Sequence, residues 1–190
     1  MITEAVTDPE RREVQELFES IFSDIDPAAV PPVRANGQYA PIVLRYQDPE
    51  TGQLLGAALT CRAQVAAMAV LTSGQLPAPI FGRSGPPIDF APVLDRHSEL
   101  DLMGVAQHAR GRGIGSALIA TMEHSLRERG VRAWFGNATA DLDTAQLRRF
   151  YSQHGFTVLD DGVPLPPLLG RPWVPAGAGP TAFFFYKILS

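Results

Sequence analysis

The chain has 190 residues, of which 45% are hydrophobic and 19% charged, which is typical of a folded globular protein and not of a disordered one. That length predicts one domain over residues 1–190, with a core that needs neither disulfides nor a metal. The formal net charge of −4 argues against nucleic acid or an anionic membrane as the main partner, because both attract basic surfaces.

Cysteine, histidine and apolar runs exclude further classes of protein. Cys61 is the single cysteine, which excludes an intramolecular disulfide and a CxxC metal site. No histidines have the spacing of metal ligands, and we expect no metal. The longest apolar run, near Val65–Leu71, is too short to span a bilayer. The amino-terminal residues lack the apolar core of a signal peptide, and we expect a cytoplasmic protein.

The first third of the chain predicts a helix followed by a β-hairpin. Asp8 and Pro9 have the character of an N-cap and a first helical residue, and apolar residues recur at helical spacing after them. Strands are predicted at 41–46 and 53–60, around an Asp-Pro-Glu-Thr-Gly turn.

The rest of the chain alternates strands and helices between two long loops, at about 62–98 and 160–181. Long connections in compact domains frequently carry function. The predicted elements are a strand at 99–106, a helix at 113–129, a strand at 131–136, a helix ending at 154, and strands at 156–159 and 182–189. This alternation predicts an α/β protein with a mixed sheet of six or seven strands.

A glycine-rich turn at 110–115, Arg-Gly-Arg-Gly-Ile-Gly, joins a predicted strand to a predicted helix. The first turn of a helix has unpaired backbone N–H groups, and glycines let a phosphate approach them. The turn therefore predicts a diphosphate site. A dinucleotide fingerprint would need a glycine where Ser116 stands, and a P-loop would need GxxxxGK. A plain strand-to-helix turn is the remaining alternative.

At these residues the sequence resembles the GNAT superfamily of N-acetyltransferases. Arg110, Gly113 and Gly115 match the family's first motif, and the segment 150–156, Phe-Tyr-Ser-Gln-His-Gly-Phe, resembles its second. Thr144 departs from the family, many of whose members have Asn at this position. The resemblance extends over residues 99–159.

The resemblance implies a GNAT-like fold, a twisted mixed sheet flanked by about four helices, and acetyl-CoA as cosubstrate. It places the pantetheine arm along the backbone of one strand and the diphosphate on the amides of the glycine-rich turn. The implied cofactor-binding residues are Met103, Gly104, Val105, Arg110, Gly111, Arg112, Gly113, Ile114, Gly115 and Ser116.

Amine acetylation requires a base, because an alkylammonium with a pKa near 10.4 is almost fully protonated at pH 7. Glu99 and Asp101 share one face of the strand before the turn. Some GNAT members carry a carboxylate base where Glu99 falls, and Glu99 is the primary candidate, with Asp101 or water as alternatives. Tyr151, in the second motif, is the candidate acid for the leaving thiolate. Either carboxylate also fits a solvated strand start, and Tyr151 a core position.

The resemblance implies an enzyme, and the expected acceptor is a primary amine of a small molecule, acetylated by direct transfer. The alternatives are acetylation of a protein N-terminus or lysine, and a non-catalytic acyl-CoA-binding module. We expect a monomer or homodimer. The two long loops are predicted to shape the acceptor site with apolar walls and charges, from Phe81, Phe90, Trp173, Asp89, Asp95, Asp160 and Asp161.

Overall fold

The computed structural model describes residues 1–31, 41–62, 96–139, 143–167 and 181–190. The described strands are β1 (Ile2–Glu4), β2 (Ile42–Gln47), β3 (Leu54–Arg62), β4 (His97–Val105), β5 (Ala133–Thr139), β6 (Thr157–Val158) and β7 (Thr181–Ile188). The described helices are α1 (Asp8–Ile21), α2 (Ile114–Glu128) and α3 (Thr144–Gln153), with a 3₁₀ helix at Gln107–Ala109. The predicted apolar element at 65–71 and the predicted acceptor-site residues Phe81, Asp89, Phe90, Asp95 and Trp173 lie outside the described residues.

The strands follow the hydrogen-bonded order β1-β2-β3-β4-β5-β7-β6, which confirms the predicted sheet of six or seven strands. β4 is the central strand, fourth of the seven, and α2 follows it along the chain. By contacts the chain divides into two compact units. The first contains Met1–Cys61 and Leu100–Gly130, and the second Arg62–Glu99 and Val131–Ser190. β4 therefore contributes residues to both units.

In the first unit, β1, β2 and β3 form antiparallel pairs, and helices cover both faces of β3. Ala57 and Leu59 share a buried cluster with Phe18 of α1. Gly56 has the opposite parity, and a Cβ added to it would lie 2.8 Å from Cγ2 of Ile114 in α2. Because strand residues alternate between faces, α1 and α2 pack on opposite sides of β3.

The ends of the first two helices are set by local residues. Thr7, and not Asp8, is the N-cap of α1, because its side chain accepts from the Glu10 amide while Glu10 accepts from the Thr7 amide. Gly130 follows the last turn of α2 with a φ of 75°, a conformation that favours glycine at a helix end. Among the described residues, no helix has the length and apolarity needed to cross a bilayer.

In the second unit, β7 lies between β5 and β6 and pairs antiparallel with both. Helix α3 begins after Asp143, whose side chain accepts from the Gln146 amide. An aromatic core fills this unit, with Trp134, Phe183 and Phe185 fully buried. The predicted strand at 131–136 in fact begins two residues later and continues to residue 139.

Candidate functional site

The glycine-rich segment Arg110–Ser116, here called the cradle, connects β4 to α2 within the first unit. β4 ends at Val105, and the 3₁₀ helix turns the chain before the cradle begins. The amide of Ala106 donates to the Leu55 carbonyl at 2.9 Å, which continues the pairing of this stretch with β3. Regular secondary structure therefore holds the cradle at both ends.

The cradle presents backbone donors without acceptors. Gly111 and Gly113 have φ values of 77° and 78°, a region that favours glycine. The first intrahelical bond runs from the Ala117 amide to the Gly113 carbonyl at 3.0 Å. Among the described residues, none supplies an acceptor to the amides at positions 114–116. With the positive end of the helix dipole, these amides form a site for an anion.

The two arginines of the cradle have different partners. Nε of Arg110 donates to the Val105 carbonyl at 3.2 Å, so this side chain caps the end of β4. Nη2 of Arg112 lies 3.3 Å from Oδ2 of Asp48 in the β2–β3 turn. Sequence reasoning missed this role of Asp48, because an Asp-Pro pair predicts a turn whether or not its carboxylate has a distant partner.

The faces of β4 separate packing residues from candidate site residues. A Cβ added to Gly104 would lie 2.8 Å from Cδ1 of Ile21, so the face carrying Leu102 and Gly104 packs on α1. Asp101 and Met103 project from the opposite face. The Asp101 side chain is solvent-accessible, and surrounding protein atoms still remove enough water to raise the pKa of its carboxyl.

Glu99 differs from Asp101 in burial, although both lie on β4. Glu99 is 3% exposed and belongs to the second unit, next to the buried Ser98. Both carboxylates were base candidates from their strand parity, and their surroundings now distinguish them. Asp101 has direct access to solvent, and Glu99 does not.

Tyr151 lies in the last turn of α3, within the aromatic core of the second unit. Its ring stacks on Phe185 with centroids 3.7 Å apart and contacts Phe150 and Phe156 edge-on. The residue is 7% exposed, and burial raises the pKa of its phenol. Among the described residues, none forms a hydrogen bond with its hydroxyl. The phenol is therefore fixed by its ring and keeps its proton at neutral pH.

The predicted site residues thus fall in two groups. The cradle, Asp101 and the segment 103–105 belong to the first unit, and Glu99 and Tyr151 belong to the second. Of the predicted acceptor-site residues, Asp160 and Asp161 are described and exposed, and Asp161 is paired with Arg148.

Comparisons with known proteins identify a family domain in this chain. The family model of the acetyltransferase (GNAT) domain matches residues 84–158, which include the cradle and the second motif. No curated protein gave a significant match.

Solved structures similar to this chain are also acetyltransferases. A GNAT-family acetyltransferase of Staphylococcus aureus Mu50 is 17% identical, with a TM-score of 0.64 over 100% of this chain and 99% of that one. A ribosomal-protein-alanine N-acetyltransferase of Brucella melitensis is 18% identical, with a TM-score of 0.57 over 100% and 99%. Arabidopsis thaliana NAA60 in complex with acetyl-CoA is 14% identical, with a TM-score of 0.60 over 100% and 99%.

The sheet and its flanking helices form a GNAT-type fold. The match at residues 84–158 shows that the chain carries a GNAT acetyltransferase domain, which confirms the predicted resemblance. This domain match confirms the predictions of an acyltransferase and of acetyl-CoA as cosubstrate.

Proposed function

We propose that this protein transfers the acetyl group of acetyl-CoA directly to a primary amine of a small molecule. The observation that carries the proposal is the cradle, whose amides at positions 114–116 have no acceptor among the described residues. A diphosphate is the part of CoA whose charge and shape suit such a row of donors.

Binding of CoA is assigned to the cradle and to β4. Each hydrogen bond from the cradle to a charged oxygen contributes about 1.5–3 kcal/mol, so three of them approach micromolar affinity. The backbone of Met103, Gly104 and Val105 is proposed to pair with the pantetheine amides. Since the Val105 carbonyl already accepts from Arg110, that pairing involves the preceding residues or displaces the arginine.

The proposed chemistry moves one acetyl group to the amine nitrogen and two protons away from it. A base removes the ammonium proton, and the amine nitrogen then attacks the thioester carbonyl carbon to give a tetrahedral intermediate with a cationic nitrogen. This nitrogen releases its second proton to water, and the C–S bond breaks as the carbonyl re-forms. An acid supplies a proton to the departing thiolate and regains one from water. The products are an amide and CoA with a free thiol.

We assign the acid to Tyr151 and the base to Asp101. The Tyr151 phenol is protonated at neutral pH and so has a proton for the thiolate, although its raised pKa makes it a weaker acid than an ordinary phenol. The raised pKa of Asp101 makes it a stronger base than an ordinary carboxylate, and its exposure lets an amine reach it. Glu99, predicted in the same role, is buried and would act through an intervening water.

The acceptor is proposed to be a small amine, in keeping with the two long loops predicted to shape its site. The alternatives are a protein N-terminus and a lysine side chain. The Brucella relative is a ribosomal-protein-alanine N-acetyltransferase. At 18% identity its likeness extends to the fold alone, so it does not decide the acceptor class.

A panel of acceptors tests this proposal. The protein is incubated with acetyl-CoA and either small primary amines or peptides with free N-termini and lysines, and free CoA thiol is measured. We expect thiol release with at least one small amine and slower release with every peptide. Release of CoA thiol with peptides alone would contradict a small-amine acceptor and indicate protein acetylation. Absence of acetyl-CoA binding would refute it entirely.

A further inference from the structure

Asp48 divides its two carboxylate oxygens between the hairpin turn and the cradle. Oδ1 accepts from the amides of Glu50 at 2.9 Å and Thr51 at 3.3 Å, and Oδ2 lies 3.3 Å from Nη2 of Arg112. The Asp48 amide closes the turn by donating to the Gln53 carbonyl at 2.8 Å. The turn therefore holds the carboxylate in one orientation, facing the cradle arginine.

The hairpin that carries Asp48 is braced against the cradle from two sides. The Ala106 amide donates to the Leu55 carbonyl at 2.9 Å. The side chains of Ile114 and Leu118 pack closely on Gly56. The distance between Asp48 and the cradle amides is thus set by the backbone and not by long side chains.

Arg112 keeps most of its hydrogen-bonding capacity while Asp48 holds it. A guanidinium has five N–H donors. Among the described residues, Asp48 is the one partner of Arg112, through one nitrogen, and the arginine side chain is 53% exposed. The other donors stay available to an anion at the edge of the cradle.

We propose that Asp48 is a positioning residue that holds Arg112 for the 3′-phosphate of CoA. This inference rests on the proposed function. The cradle amides are proposed to bind the diphosphate, and the 3′-phosphate is the other strongly anionic group of CoA. Arg112 ends on the hairpin turn, beside the row of amides, where a second phosphate of the same ligand would meet a fixed guanidinium.

Asp48 also carries a negative charge, which opposes a phosphate. The turn amides and Arg112 already partner this carboxylate, and they lower its pKa. Repulsion of a more distant phosphate acts through water and is screened by salt. Losing Asp48 would release a long flexible side chain, so the loss of positioning outweighs the relief of repulsion.

The test uses Asp48→Asn, Arg112→Gln and the double variant, with dissociation constants measured for CoA and for 3′-dephospho-CoA. Asn at position 48 keeps an oxygen for the turn amides and loses the attraction to Arg112. We expect Arg112→Gln to weaken CoA binding about tenfold and Asp48→Asn about three- to fivefold. Both changes should weaken binding of 3′-dephospho-CoA less than they weaken binding of CoA. The double variant should bind CoA no more weakly than Arg112→Gln alone.

Glu123→Gln provides a matched control, because it removes the same charge from an exposed arginine pair on α2, away from the cradle. We expect it to leave both dissociation constants unchanged. Unchanged or tighter CoA binding by Asp48→Asn, or equal weakening for both ligands, would overturn the inference. Failure of the wild-type protein to bind either ligand would instead refute the proposed function.

Discussion

Tyr151 combines a firmly packed ring with a hydroxyl that has no hydrogen-bond partner among the described residues. Tyr151→Phe keeps the stacking on Phe185 and removes only the acid. We expect kcat to fall about 10²-fold, at the lower end of acid catalysis, because the raised pKa weakens the phenol as a proton donor. Acetyl-CoA affinity and Tm should be unchanged. Tyr186→Phe on β7 is the control, and equal rates for both variants would make Tyr151 a packing residue.

The raised pKa of the Asp101 carboxyl should change how the stability of the protein depends on pH. Its pKa is raised above the ordinary value of 3.8, so the folded state binds this proton more tightly than the unfolded chain. The resulting stabilisation is present below pH 3.8 and is lost as pH rises through the folded pKa. Asp101→Asn should therefore raise Tm at pH 7, and the difference from wild type should shrink toward pH 3. An equal or lower Tm at pH 7 would contradict the raised pKa.

The activity of the same variant tests the base. Below the pKa of Asp101 the base is protonated, so kcat/KM should fall on the acid side of the profile. Asp101→Asn should lower kcat/KM about 10²-fold and remove that acid limb, whereas Glu99→Gln should retain it. The reverse pattern would assign the base to Glu99, as its position in the sequence suggested.

The pairing of Asp48 with Arg112 shows what sequence reasoning omits at the residue scale. Both residues were singled out, one for a turn and one for its charge, but 64 positions separate them. Local patterns predict the conformation of each residue and not its distant partner. Local patterns also fail to predict burial. Glu99 and Asp101 share one face of the strand, which gave no indication that only Asp101 is accessible to solvent.

At the scale of elements, the two ends of α2 offer a matched pair of glycines. Gly113 and Gly130 both have positive φ, and no atom lies within 4 Å of a Cβ added to either. Alanine at each should cost about 1–2 kcal/mol of stability, because L-residues avoid this conformation. We expect Gly113→Ala to weaken acetyl-CoA binding by tenfold or more, since its methyl group would lie among the phosphate-binding amides, and Gly130→Ala to leave that binding unchanged. Equal affinities in calorimetry would mean that the cradle is not the site.

Local signals explain which elements the sequence predicted. The helices α2 and α3 have apolar stripes and glycines at their ends, and the hairpin has a turn between two apolar runs. β1 was missed, because three residues carry no periodicity and Ile2–Glu4 forms a strand through pairing with β2. The insertion of β7 between β5 and β6 is likewise non-local. The alternation of elements along the chain predicts which segments are strands and which are helices better than it predicts the order of the strands in the sheet.

At the scale of the whole molecule, the resemblance of the two motifs to the GNAT superfamily predicted the acetyltransferase domain and its cosubstrate. The acceptor could not be predicted in the same way, because a GNAT domain fixes the chemistry of the thioester and not the shape of the amine. We expect acceptor choice to depend on side chains from segments distant in sequence, including the predicted loops at 62–98 and 160–181.

The central claim is that one acetyl-CoA binds at the cradle. Isothermal titration of acetyl-CoA into the wild-type protein tests it most directly. We predict saturable binding of one molecule per chain, with a dissociation constant of about micromolar order that weakens as salt is added. No saturable binding at concentrations on the order of a millimolar, where even a weak site would fill, would contradict the account.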